Sequence, residues 1–229
     1  MQSRCLVGAA VCLMLAGTAA AASSADETNR LQNSTEVVRA LRDQPDKGIP
    51  EKLWQRAACV VVIPKLKKAA LGIGGEYGKG VMSCRKGAGW GAPAFMQLAK
   101  GSWGAQIGAT EQDLILLVMN REGAEKLLKN KVSLGADASV AAGPVGRAAA
   151  AGTDAQLSAE ILSYSRSRGL FAGIDISGGM LGPDKDANTD TYHGTSDPVA
   201  IAFGDVPVPP VAQPLVTELG RQAVGTSGR

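Results

Sequence analysis

Aromatic residues are scarce: three Trp, three Tyr and three Phe make up 4% of 229 residues. So few rings cannot fill a large aromatic core, and 29 glycines point instead to close backbone packing and tight turns. Histidine is nearly absent, with His193 alone. That removes His-rich metal sites and zinc hydrolases, which need several imidazole ligands. Neither a G-x-S-x-G string nor a G-x-x-x-x-G-K-[ST] string occurs, so no nucleophile elbow and no P-loop is encoded. No apolar run reaches the roughly 20 residues of a membrane-spanning helix. Charge of one sign does not dominate either. The net charge is +3, too mild to argue for a nucleic-acid partner.

The chain opens on what reads as an export signal. Arg4 supplies a basic start, residues 5–16 are apolar, and residues 18–22 are small throughout. Cleavage is expected after Ala22, giving a periplasmic or secreted protein. A lipid anchor would need Cys after Leu15-Ala16-Gly17, where Thr18 stands. Loss of this leader leaves 23 basic against 21 acidic residues. Of the four cysteines, Cys59 and Cys84 remain. In an exported chain an even pair reads as a disulfide, the alternative being two buried thiols.

Residues 23–57 carry a helical stripe at Leu31, Val38 and Leu41, broken at residues 46–48, with Pro50 opening a short second helix around Leu53 and Trp54. This stripe either docks on its own domain or adds apolar contact to a membrane surface. From Cys59 to Met119 the pattern is that of strands. Hairpin turns are expected at Gly78-Lys79-Gly80 and Ala99-Lys100-Gly101, and Pro93 suggests an edge or bulge. Asn120 should cap a short helix. A further hairpin is expected around "SRSRG", and the end is Pro-rich, then briefly helical.

Several short strings invite a site. "GAGWGA" fits a dinucleotide pattern, but Pro93 follows and no helix opens, so it reads as chance. "DKDANTD" begins like a calcium loop, but Thr189 and Thr195 stand where Gly and Glu belong; a helix cap by Asp184 fits better. "GADASVAAGPVGR", residues 135–147, reads as close packing, with Asp137 and Arg147 able to pair or to satisfy buried backbone. Basic residues cluster at Lys65, Lys67 and Lys68; at Lys126, Lys129 and Lys131; and at Arg166 and Arg168. Each cluster alone is a solvated edge. Two of them on one face would make a patch for lipid phosphates.

The strings "GGEYGKGV", "GWGAPAFMQL", "GSWGAQIGA", "DLILLVMN", "LGADASVAAGPVGR" and "AEILSYSRSRGLFAGI", in this order, resemble the SYLF domain family over roughly residues 30–195. The resemblance implies a lipid-binding module with a compact β-rich fold. Some eukaryotic members also bind actin, often beside SH3 or FYVE domains, which this sequence does not show. Bacterial members are typically exported and stand alone. No family active-site motif is carried over.

The expected fold class is therefore α+β: a compact domain of antiparallel strands, barrel- or sandwich-like, with N-terminal and flanking helices. The expected organisation is a leader over 1–22, the module over 23–205 and a Pro-rich tail over 206–229. The expected function is non-catalytic recognition of anionic phospholipid headgroups by Lys65, Lys67, Lys68, Arg166 and Arg168, without cofactor or metal. The alternative is an envelope structural or protein-interaction module.

Overall fold

The computed structural model describes residues 24–43, 48–146 and 158–223; the leader expected over 1–22 and Arg147 lie outside them. Helix α1 (Ala25–Arg42) starts at Ser24, whose side chain accepts the Glu27 N–H, and Asp26 and Glu27 complement the helix dipole in its first turn. Helix α2 (Glu51–Arg56) follows Pro50 and buries Leu53 and Trp54.

Three strands come next: β1 (Cys59–Lys86), β2 (Gly89–Trp90) and β3 (Ala94–Val118). β1 and β3 form one long antiparallel ribbon, from Cys59↔Val118 to Met82↔Ala94. This corrects the two expected hairpins. Gly78-Lys79-Gly80 and Ala99-Lys100-Gly101 both lie mid-strand, where Gly78 pairs with Leu98 and Tyr77 with Ala99. The actual turn is Gly87-Ala88, closed by Lys86↔Gly89, and Pro93 sits in the loop ahead of β3.

The glycines serve a different purpose, because β1 folds back on itself. A Cβ on Gly80 would stand 2.0 Å from the Val62 carbonyl oxygen and 2.7 Å from the Ile63 Cα. The two ends of β1 are thus the legs of a U, packed backbone against backbone. The Arg85 N–H donates to the Ala58 carbonyl at 2.8 Å, and Cys59 and Cys84 are joined by the expected disulfide, so the open end of the U is stapled. Near the apex, Lys68 Nζ lies 3.1 Å from Glu76 Oε1. Those residues would be about 26 Å apart on an extended strand, so the segment between them turns sharply back.

The remaining elements line this bent ribbon. Helix α3 (Arg121–Lys129) is capped as expected, with the Gly123 N–H donating to Asn120 Oδ1 at 2.7 Å. Then come β4 (Val132–Ser133), β5 (Val140–Ala142), β6 (Ile161–Ser167), β7 (Leu170–Gly173) and β8 (Gly179–Pro183). Helices α4 (Lys185–Thr191) and α5 (Pro198–Phe203), a 3-10 turn (Pro210–Ala212) and α6 (Gln213–Ala223) complete the described chain. The strands make one eight-stranded sheet along β2-β1-β3-β6-β5, with β7 on β6 and β8 between β3 and β4. All pairings are antiparallel except β5 with β6. The result is a curled half-barrel flanked by helices, the α+β class expected. Among the described residues no helix is long and apolar enough to cross a membrane.

Helix α1 packs on β1 and α6. Leu31, Val38 and Leu41 are buried there, so of the two roles expected for this stripe it takes the first, docking on its own domain. Leu215 and Leu219 of α6 are buried too, so α6 is tied into the fold. The small-residue stretch at 135–147 does what close packing requires. A Cβ on Gly143 would meet the Tyr164 ring at 2.0 Å, and one on Gly173 would meet the Gly143 carbonyl at 2.1 Å. Asp137 satisfies backbone, accepting the Ser133 N–H at 2.9 Å.

Candidate functional site: a basic rim at the bend of the ribbon

Sheet order decides which basic residues can act together. Strand β3 separates β1 from β6, so Lys65 and Lys67 stand on one side of it and Arg166 on the other. Lys65 occupies a register shift between Ile63 and Leu66, with φ at 51°. Its backbone N–H donates to Asp113 Oδ1 at 3.0 Å, while Arg166 Nη1 donates to Asp113 Oδ2 at 3.0 Å. One β3 carboxylate thereby ties the first and third sequence clusters together. Arg168 sits at the tip of the β6–β7 hairpin with φ at 49°, followed by Gly169 at 82°. Two successive positive φ values are what a tight two-residue hairpin turn requires. Lys65 and Arg168 are the only described non-glycine residues with positive φ.

The five residues are not equivalent. Arg166 is committed to Asp113 and Lys68 to Glu76, both in part-buried pairs. Lys65, Lys67 and Arg168 are exposed and have no carboxylate partner among the described residues. These three are therefore the available charges.

The Lys126, Lys129 and Lys131 cluster lies elsewhere. The Lys126 ammonium donates to the Asp137 carbonyl and Lys129 lies 3.4 Å from Glu125. Lys129 and Lys131 line a cleft of about 490 Å³ with Lys79 and Lys185. A second cleft, about 430 Å³, lies between α1 and β1 and is lined by Lys65, Lys67, Tyr77 and again Lys79. Lys79 thus joins two clusters that looked independent, and it was hidden because its glycine neighbours imitate a turn. Behind it stands Asp184, buried, with Arg30 Nη1 at 2.9 Å and Lys79 Nζ at 3.0 Å. The expected cap by its side chain is absent, because these cations claim the carboxylate. Burial alone would raise the Asp184 carboxyl, but hydrogen bonds and charge from Lys79 and Arg30 hold it below the usual carboxylate range. Arg30 also stacks over Phe95 at 5.2 Å.

Chemistry-bearing groups do not gather elsewhere in the described chain. Among the described residues, no three His, Cys, Asp or Glu side chains are placed to hold a metal. His193 is exposed on the wall of an apolar groove of about 700 Å³ formed with Tyr192, Val206, Pro207 and Pro210.

Comparison with known proteins gives this arrangement a family. The family model described as Ysc84, Las17-binding protein actin regulator, matches residues 99–222. The chain belongs to this family. It is the SYLF family that the motifs resemble. Protein YSC84 of Saccharomyces cerevisiae is 32% identical over 182 residues, covering 78% of this chain and 39% of that protein. SH3 domain-containing YSC84-like protein 1 of Rattus norvegicus is 33% identical over 187 residues, covering 81% of this chain and 54% of that protein. The chain thus spans about half the length, or less, of these curated relatives. The family description is that of a binding protein and regulator.

Proposed function

We propose that this SYLF protein is an exported, non-catalytic module that binds anionic lipid headgroups through Lys65, Lys67 and Arg168. The observation that carries the reading is the placement of these three unpaired cations around β3 at one end of the ribbon. Asp113 and Glu76 hold Arg166 and Lys68 behind them as a scaffold rather than as ligands. Lys79 is likewise held, by Asp184, and the cleft that it lines carries Asp184 and Asp186 beside its lysines. Each basic residue near an anionic surface contributes about 1 kcal/mol. Binding of this kind weakens with salt, because exposed charges are screened beyond about 8 Å at 0.15 M.

The test is co-sedimentation of the full chain with phosphatidylcholine vesicles, with and without phosphatidylglycerol, at low and high salt. The comparison variant carries Lys65→Glu, Lys67→Glu and Arg168→Glu, which leaves both structural ion pairs intact. Selective binding to the anionic vesicles is expected, weakened on the order of 100-fold in the variant. Equal binding by both proteins, or no vesicle binding at all, rejects the proposal. A second reading, a protein-interaction module, is favoured by a different feature, the apolar groove beside His193. It gains if vesicles are ignored and substitutions in that groove abolish association with a protein.

A further inference from the structure

The apex of the bent ribbon has an unusual sequence for its position. Residues 69–75 read AALGIGG and residues 101–110 read GSWGAQIGAT, without a single charge. They pair only with each other among the described strands. Strand β3 takes β8 as a neighbour at Met96 to Lys100 and β6 at Asp113 to Val118, with no described strand on that edge between. The margins of the apex, Ala69, Gly75, Gly101, Ala109 and Thr110, are exposed.

The exposed large hydrophobic side chains of the described fold all stand at its feet. Tyr77 (47% exposed) and Met180 (41%) both pair with Ala99, so they share one row on one face of the sheet. Leu170 (63%) follows the β6–β7 turn, beside the opposite foot. Lys65, Lys67 and Arg168 stand at one foot and Lys79 and Lys100 at the other, with Glu111 across from Lys67, Glu76 across from Lys100 and Asp184 paired with Lys79.

We infer that this apex is a membrane-contact element, entering an anionic bilayer at interfacial depth while Lys65, Lys67 and Arg168 hold headgroups. The inference rests on the anionic-surface reading above and adds an apolar component to it. Its geometry limits the depth. Four residues on either side of the bend rise at most about 13 Å, well short of a hydrocarbon core of about 30 Å. Among the described strands both edges of the apex are unpaired, and N–H and C=O groups there need water or headgroups as partners and cannot enter dry hydrocarbon. A second copy of the chain is the poorer occupant of these edges. The register shift between Leu71 and Ile73 and the flanking lysines are devices that discourage edge-to-edge pairing.

Trp103, paired with Ile73, provides the probe. Trp54 and Trp90 are 1% and 6% exposed in the core. The full chain is mixed with phosphatidylcholine–phosphatidylglycerol vesicles carrying bromine on the upper acyl chain. Quenching of tryptophan fluorescence is expected in the wild type and not in Trp103→Phe, and Ile107→Asp should bind at least tenfold more weakly at high salt. Vesicle binding without Trp103 quenching, and with Ile107→Asp equal to wild type, overturns the insertion alone. Absence of any vesicle binding overturns both this inference and the function on which it rests. Shielding of Trp103 on self-association in lipid-free solution assigns the apex to a second copy and overturns it too.

Discussion

Replacing Gly80 by Ala tests the bent ribbon at its tightest point. The added methyl carbon would stand 2.0 Å from the Val62 carbonyl oxygen, 2.7 Å from Ile63 Cα and 2.8 Å from Ile63 Cγ1. Two of these obstacles are backbone, so no rotamer change relieves them. Separating the legs by the required ångström or more meets resistance close by. The Cys59–Cys84 disulfide and the Arg85-to-Ala58 hydrogen bond fasten the legs only a few residues away. Overpacking in a well-packed core costs about 1–3 kcal/mol. With backbone on both sides, Gly80→Ala should fall at the upper end, about 3 kcal/mol. For a chain of this size that lowers Tm by about 6–12 °C. Gly75→Ala is the matched control on the same strand, since its methyl would lie 3.6 Å from the Lys100 carbonyl, an ordinary contact. It should be neutral or stabilising by up to about 1 kcal/mol. Thermal and urea melts of the three proteins decide the matter. Coincident transitions for Gly80→Ala and wild type would refute the leg-to-leg packing.

Further outcomes follow from the same geometry. Changing Cys59 and Cys84 together to Ser opens a link of sequence separation 25 and should cost about 3.5 kcal/mol in urea unfolding, with reduced wild type behaving alike. Asp184 has a depressed folded-state pKa, so its stabilisation is present above the unfolded value of about 4 and is lost as pH falls through the lower folded value. Asp184→Asn should flatten that part of the acid limb in melts between pH 5 and 2. At pH 7 it should cost about 3 kcal/mol, because Arg30 is left buried and unpaired. The Tyr164 hydroxyl is buried without a hydrogen-bond partner among the described residues, and burial pushes its phenol well above the usual range. Tyr164→Phe should therefore be neutral or slightly stabilising in the same melts, and a loss above about 1 kcal/mol would reveal a partner.

Local signals were legible where local physics decides. Asn120 caps α3, Pro50 precedes α2, and Arg168-Gly169 makes the β6–β7 turn because each needs only its immediate neighbours. Gly78-Lys79-Gly80 misled because a glycine pair serves a turn and a close backbone approach equally well. The residue that decides between them, Val62, is eighteen positions away. The same error concealed Lys79 as a bridge between clusters. Asp184 does stand at the N-cap of α4, but its carboxylate goes to Arg30 and Lys79, which come from α1 and β1 and lie far off in sequence. The grouping of Lys65 with Arg168 depends on β6 crossing to the far edge of β3, a choice of topology that spacing along the chain does not carry.

The most direct measurement is hydrogen–deuterium exchange of the full chain with and without phosphatidylcholine–phosphatidylglycerol vesicles. Vesicle-dependent protection is expected in peptides covering 65–79, 99–112 and 166–170, with residues 191–210 unchanged. Protection confined to 191–210, or no change anywhere while vesicles are bound, would contradict it.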